Sequence, residues 1–279
     1  MSIVQALILG LLQGVTEFLP VSSSGHLVIM QHYLGLRRPL VSFDVALHTA
    51  TLVVVLIYFR HDLGSIIGSL IRLKSPHSQA LLERKIFYLI IVGTIPTAIL
   101  GLILRIWANL LFTRVVITSA TLIITGIILR VGGKTKKTGK GIKEMGIMDA
   151  LLIGVMQGIA IVPGISRSGA TISTGLLRGI NRESSFRYSF LLSIPAILGA
   201  LSLSLKDVLI EKIFPPHPLP WIAGASSAFV AGYLSLIILR KSVLKGKLSL
   251  FSYYCWVLGI GSLILWIWRY LTFKVVLLP

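Results

Sequence analysis

The sequence predicts an all-α integral membrane protein: six transmembrane helices and two re-entrant helical hairpins, meeting near the bilayer midplane as an inverted-topology repeat. Three observations predict it. Of 279 residues, 55% are hydrophobic and 13% charged, with a mean hydropathy of +0.90, outside the range of soluble domains. Two apolar regions are broken in mid-course by Pro, Gly and Ser. Those two regions also resemble each other at a fixed offset along the chain.

Taken in order, residues 3–35 form the first broken region, interrupted at "LPVSSSG" (19–25). Each piece is shorter than the ~20 residues a crossing helix needs. Irregular backbone at membrane depth is tolerated only where protein or a water-filled cavity covers it, so the region reads as a hairpin. A span over 43–59 follows, with a polar start at Asp44 and His48, then spans over 86–104 and 109–129. Residues 147–180 are the second broken region, interrupted at "VPGISRSG" (162–169). Spans over 186–205, 219–239 and 251–268 complete the chain, and Trp256, Trp266, Trp268, Tyr253, Tyr254 and Tyr270 read as interface anchors of the last.

The net charge of +18 is spread around the apolar spans instead of forming a soluble basic domain, which argues against nucleic acid as a partner. Segments 60–85, 130–143 and 240–247 carry five, six and four Lys/Arg, against two each in 37–42, 105–114, 206–218 and 269–279. The first three are expected in the cytoplasm, which puts both termini outside. No Lys or Arg precedes Arg37, so a removable signal peptide is not expected. The lone Cys255 excludes an intramolecular disulfide and reads as a small buried hydrophobe.

"ALILGLLQG" (6–14) matches "ALLIGVMQG" (150–158), and "SSSG" (22–25) matches "SRSG" (166–169), both at an offset of 144. Three expected spans separate the two hairpins, and an odd number between similar units inverts the second. The chain is therefore read as one membrane domain with a first repeat over 1–143 and an inverted second over 144–279. In such folds the site lies where the broken segments meet.

The polar residues of the tips carry the chemistry. Gln13 and Glu17 share a helix face, and a carboxylate inside the membrane envelope is expensive and usually functional. Ser22, Ser23, Ser24 and Gly25 follow the break, with Ser22, Ser24 and Gly25 expected to bind phosphate, and His26 opens the next half-helix. Ser23 and His26, three apart, approach each other if the turn is tight, and with Glu17 they are the parts of an activated nucleophile. A serine-rich turn that only caps a helix would explain the serines but not the burial of Glu17 and His26. The second tip offers Arg167 between Ser166 and Ser168, then Gly169 and Thr171, a natural anion site at a helix N-terminus. A nucleophile on one tip and a cationic clamp on the other suit phosphoryl transfer, and the bilayer setting points to a lipid-linked phosphate. Asp44 and His48 either support this site or make an ordinary polar contact between helices. His32, His61, His77 and His217 receive no role.

"TEFLPVSSSGH" and "PGISRSGATIS" closely resemble the motifs of the undecaprenyl-diphosphate phosphatase family, integral membrane enzymes of bacteria associated with bacitracin resistance. The resemblance covers essentially the whole chain. It implies removal of the terminal phosphate from a C55 polyprenyl diphosphate, recycling the carrier lipid for cell-wall synthesis, at a site open to the outer face of the inner membrane. It implies a divalent metal, Mg2+ or Ca2+, and the family's motif roles: Glu17 as carboxylate, Ser23 as nucleophile, His26 as its proton partner, and Arg167 gripping the diphosphate amid Ser166, Ser168 and Thr171. Besides the lipid substrate and the membrane lipids, a homodimer stands open. Gln13 departs from a pattern in which many members carry Glu. A carboxamide is a poorer ligand for a hard cation, so either Gln13 and Glu17 hold the metal or the diphosphate brings it. Two other readings remain: a transporter or lipid flippase on the same repeat, and a type 2 phosphatidate phosphatase, whose signature histidine is replaced here by Ser173.

Overall fold

A computed structural model of the chain describes residues 1–33, 41–71, 78–135, 139–210 and 218–276. Arg37, Arg38, Arg72, Lys74, Lys136, Lys137 and Lys212 of the charge pattern, together with His77 and His217, lie outside the described residues.

The fold is all-α. In the first apolar region α1 (Ile3–Phe18) and α2 (Ser23–Tyr33) flank a four-residue break. At ~1.5 Å per residue, the 16 residues of α1 reach ~24 Å, short of a ~30 Å hydrocarbon core. The break begins where proline dictates it. Leu19 precedes Pro20, which disfavours helical backbone for it, and it sits extended at φ −58°, ψ 144°. The second region has the same plan, with α8 (Ile147–Ile159) and α9 (Arg167–Leu177) separated by "AIVPGIS".

Among the described residues, five helices are long and apolar enough to cross a membrane: α5 (Ser78–Arg105), α7 (Val115–Gly133), α10 (Arg182–Ile210), α11 (Leu219–Leu244) and α12 (Phe251–Val276). The expected span over 43–59 is α3 (Val41–Tyr58), which reaches six with them only when joined to α4 (Arg60–Ile71), bent from it by 71°. The chain is a multi-pass membrane protein. Two boundaries differ from the sequence reading. Residues 60–71, read as part of a charged connection, are helical, because Ile66 and Ser69 bury one face of α4. The span expected over 109–129 starts at Val115, with α6 (Ala108–Thr113) set apart, because Arg114 adopts extended backbone between them.

Helix pairing rests on small residues. In lipid, apolar surface alone gives no reason for helices to associate, so close backbone approach and hydrogen bonds decide it. α1 runs along α11, and a β-carbon at Gly10 would overlap the Gly224 carbonyl. α8 runs along α5, and a β-carbon at Gly154 would overlap the Gly93 carbonyl in the same manner. α7 packs on α12, where Trp256 donates its indole N–H to the Ile123 carbonyl at 3.2 Å. Trp256, expected as an interface anchor, is thus a helix–helix contact, made possible by the missing side chain at Gly126.

An aromatic cluster of Phe18, Phe59, Phe186 and Phe190 joins α1 and α10 at the α3–α4 bend. Arg187 on α10 ion-pairs with Asp62 of α4 and Glu83 of α5. Asp149 accepts from the Gly146 N–H at 2.9 Å and pairs with Lys140 and Arg178, tying the mouth of the second hairpin. Cys255 is buried and free, its Sγ 3.7 Å from the Pro20 carbonyl.

Candidate active site

The hairpin tips touch. A β-carbon on Gly25 would stand 3.0 Å from Gly164 Cα, and one on Gly169 would stand 3.2 Å from Pro20 Cβ. Both chains turn with left-handed backbone, Gly164 at φ 94° and Ser22 at φ 69°. Glycine adopts that conformation freely, whereas serine does so at a cost of ~1–2 kcal/mol. Three hydrogen bonds to Ser22 offset it. Its Oγ accepts from the Gly25 N–H at 3.3 Å and from the Gly164 N–H at 3.0 Å, and its carbonyl from the His26 N–H at 3.2 Å.

Across the contact, Ser168 donates to the Phe18 carbonyl at 2.9 Å. Helix α7 holds the second tip through Thr121, which donates to the Pro163 carbonyl, and Thr125, which donates to the Gly164 carbonyl at 2.7 Å. Ser166 caps α9 by accepting from the Gly169 N–H at 3.1 Å. Thr171 donates to the Arg167 carbonyl at 2.8 Å and shares a hydrogen bond with Ser189. Ser22, Ser166, Ser168 and Thr171, expected to hold phosphate, are therefore engaged in joining the tips and helices. Gly25 and Gly169 are their points of contact. Ser24, half-buried on the first turn of α2, lies 3.4 Å from Ser22 Oγ.

Four side chains gather around one carboxylate. Glu17 is 9% exposed. Its Oε1 accepts from Arg167 Nη2 at 2.7 Å; its Oε2 accepts from Ser23 Oγ at 2.6 Å and from Gln13 Nε2 at 3.0 Å. His48 Nδ1 stands 3.6 Å from the same oxygen. Thus Glu17, Ser23 and Arg167, separated by up to 150 residues, meet in one place. Breaking such a buried ion pair from one side costs ~3–5 kcal/mol, because the remaining charge is stranded. The Ser23–Glu17 distance is that of a charge-assisted O–H···O⁻ bond, the arrangement in which a carboxylate takes a hydroxyl proton.

His26 does not join Ser23, as the sequence reading had it. Its Nδ1 lies 2.7 Å from the Ser22 carbonyl and its Nε2 2.7 Å from the Tyr254 hydroxyl, with the two rings stacked at 5.6 Å. The physical reason is local. His26 opens α2 four residues after Ser22, whose carbonyl captures the near ring nitrogen and points the far one at α12. A carbonyl can only accept, so Nδ1 carries a proton and the neutral ring accepts the Tyr254 hydroxyl at Nε2. Tyr254, read as an interface anchor, is also this ring's partner.

His48 joins the site from α3. It was legible as a polar residue early in an apolar span, but its partner lies 35 residues away on another helix. As for metal, no group of three or more His, Cys, Asp or Glu residues is assembled among the described residues. Gln13 is fully buried and its Oε1 lacks a hydrogen bond. One carboxylate, both of whose oxygens are engaged, and one carboxamide oxygen fall short of an all-protein shell, so water and substrate phosphate oxygens would have to complete the coordination of a hard divalent ion here.

The pattern that defines the BacA family, described as bacitracin resistance protein BacA, matches residues 6–261. An undecaprenyl-diphosphatase from Desulforapulum autotrophicum is 44% identical over 273 residues, covering 95% of this chain and 98% of that protein. Proteins of the same name from Carboxydothermus hydrogenoformans (44% over 263 residues, 94% and 96% covered) and Korarchaeum cryptofilum (44% over 267 residues, 94% and 99% covered) are similarly close. Matched along nearly its whole length, with a carboxylate, serine and arginine gathered where its two hairpins meet, the chain belongs to the BacA family of bacitracin resistance proteins.

Proposed function

We propose that the chain hydrolyses undecaprenyl diphosphate to undecaprenyl phosphate and inorganic phosphate, returning the carrier lipid to cell-wall synthesis. The observation that carries this reading is the Ser23 hydroxyl held 2.6 Å from a carboxylate whose other oxygen is clamped by Arg167. Ser23 Oγ attacks the terminal phosphorus as Glu17 takes its proton. The bond from that phosphorus to the bridging oxygen breaks, and undecaprenyl phosphate leaves with the electron pair. Glu17 hands the proton it holds to the departing undecaprenyl phosphate, then takes one from a water that attacks the phosphoserine and passes it to Ser23 Oγ as that P–O bond breaks, freeing inorganic phosphate. Arg167 uses one nitrogen on Glu17, so the rest of its fork remains for phosphate oxygens. The N–H groups of Arg167 and Ser168 open the first turn of α9 and are without a hydrogen bond among the described residues. A divalent ion at this site arrives with the diphosphate, whose oxygens supply the ligands the protein lacks.

We read the chain further as two inverted halves, 1–143 and 144–279, in the bacterial inner membrane with both termini and the site's opening outside. The paired contacts Gly10–Gly224 and Gly154–Gly93 support the halves, as do Gly25–Gly164 and Pro20–Gly169. The Lys/Arg-rich segments support the orientation. His48 supports the outward opening, since it lies about 10 Å along α3 from the outer start of that helix.

The test is phosphate release from undecaprenyl diphosphate by detergent-purified protein, with Ser23→Ala and Arg167→Ala beside it. Release lost in both variants supports the mechanism. Near-normal release by Ser23→Ala would move the nucleophile to a Glu17-activated water, and no release by the unaltered protein would remove the assignment.

A further inference from the structure

His48 lies on α3, outside both hairpins, and the mechanism above does not use it. Its Nδ1 is 3.1 Å from Gln13 Nε2, and Gln13 Nε2 is 3.0 Å from Glu17 Oε2. The carboxylate fixes the amide. An oxygen in place of Gln13 Nε2 would face Glu17 Oε2 with no proton between them, so the nitrogen stands there and donates both protons, one to Glu17 and one to His48. His48 Nδ1 therefore accepts, and the ring proton sits on Nε2. The His48 side chain is 34% exposed, and its Nε2 makes no hydrogen bond among the described residues. A donor with a fixed tautomer is thus partly exposed beside the carboxylate that Ser23 and Arg167 also touch.

We propose that His48 is a further phosphate-binding residue, its Nε2–H donating to the diphosphate of the substrate while Gln13 holds the ring in that tautomer. This rests on the phosphatase reading for the identity of the ligand. The geometry also explains the carboxamide at position 13. A carboxylate there would repel Glu17 across 3.0 Å, whereas the amide links Glu17 to His48 and leaves the site one negative charge lighter toward an anionic substrate.

The experiment measures kcat and KM for undecaprenyl diphosphate, and the dissociation constant of inorganic pyrophosphate, for the unaltered protein, His48→Ala and His48→Gln. His48→Ala is expected to raise KM and the pyrophosphate constant about tenfold or more, the worth of one hydrogen bond to a charged group. His48→Gln, whose amide N–H reaches to where Nε2 stood, is expected to stay within about threefold of the unaltered protein. A His48→Ala protein that binds pyrophosphate normally but turns over slowly would overturn the proposal and leave His48 as a support for Gln13. A glutamine variant as weak as the alanine one, with unchanged thermal unfolding, would overturn it too. Should the alanine variant fail to fold, 15N spectra of the histidine-labelled unaltered protein decide. An Nε2–H ring that shifts on adding pyrophosphate supports the proposal, and an Nδ1–H ring or no shift overturns it. Pyrophosphate binding needs no turnover, so a failure of the phosphatase reading shows separately, as bound pyrophosphate without phosphate release.

Discussion

Gln13 and Gln157 stand 144 residues apart in matching hairpins, and both are buried with a carboxamide oxygen unpaired. Their amide nitrogens meet different company. Gln13 donates toward Glu17 and His48; Gln157 donates toward Thr97 at 3.3 Å and the Leu192 carbonyl at 3.2 Å. The same offset sets Ile161 opposite Glu17, Leu192 opposite His48, Ala170 opposite His26 and Arg167 opposite Ser23. The sequence offset thus pairs two tips of different content, with a carboxylate, a hydroxyl and the His26 imidazole on one and the Arg167 cation on the other. The packing residues match while the reactive ones differ, and on the proposed mechanism this lets a phosphoryl group be gripped from one side and attacked from the other.

Substitutions that hit the reactive residues should break this asymmetry. Glu17→Gln removes the proton acceptor of Ser23 and strands Arg167. Phosphate release is expected to fall by ~10²–10⁴-fold, the usual worth of a general base. Gln13→Ala and Gln157→Ala sharpen the contrast between the halves. The first should lower phosphate release by ~10-fold through loss of the hydrogen bond to charged Glu17. The second should leave release per folded molecule unchanged and cost ~1–3 kcal/mol of stability from unpaired buried groups, read as thermal unfolding in detergent.

Where the halves match, the effects should match as well. Gly10→Ala and Gly154→Ala each push a methyl into a facing carbonyl, and each is expected to cost ~1–3 kcal/mol with no preference for either half. Smallest are the caps. Ser22→Ala and Ser166→Ala should each cost ~1 kcal/mol, and Ser22→Gly only a few tenths of that, since glycine relieves the left-handed backbone as the cap is lost. Unfolding midpoints of the five variants check both pairs and the glycine replacement.

Much of this was legible in the sequence because lipid is an unforgiving solvent. A carboxylate, a run of serines and an arginine inside apolar segments need partners, so Glu17, Ser23 and Arg167 stood out, and Pro20 and Pro163 marked the breaks. Partners on other helices were not legible. Tyr254 reaches His26 from 228 residues away, and the two had been given unrelated roles, anchor and proton carrier. His48 looked like one polar residue at the start of a span. Helix α4 and the start of α7 were misjudged because hydropathy averages over a window and is blind to one residue's backbone, as at Arg114.

The sequence by itself determined the solvent, the helical class, the two broken segments and which residue types had to be functional. Each follows from a local cost: the desolvation of a backbone or charged group in hydrocarbon, or the clash of proline with the residue before it. The tertiary structure alone decided who meets whom: Glu17 with Ser23 in place of His26, Gln13 with His48, and the tip serines with carbonyls and N–H groups of the facing tip and helices. Hydrogen bonds are directional and short, so a small rotation of one helix about another exchanges partners without changing any residue's cost of burial.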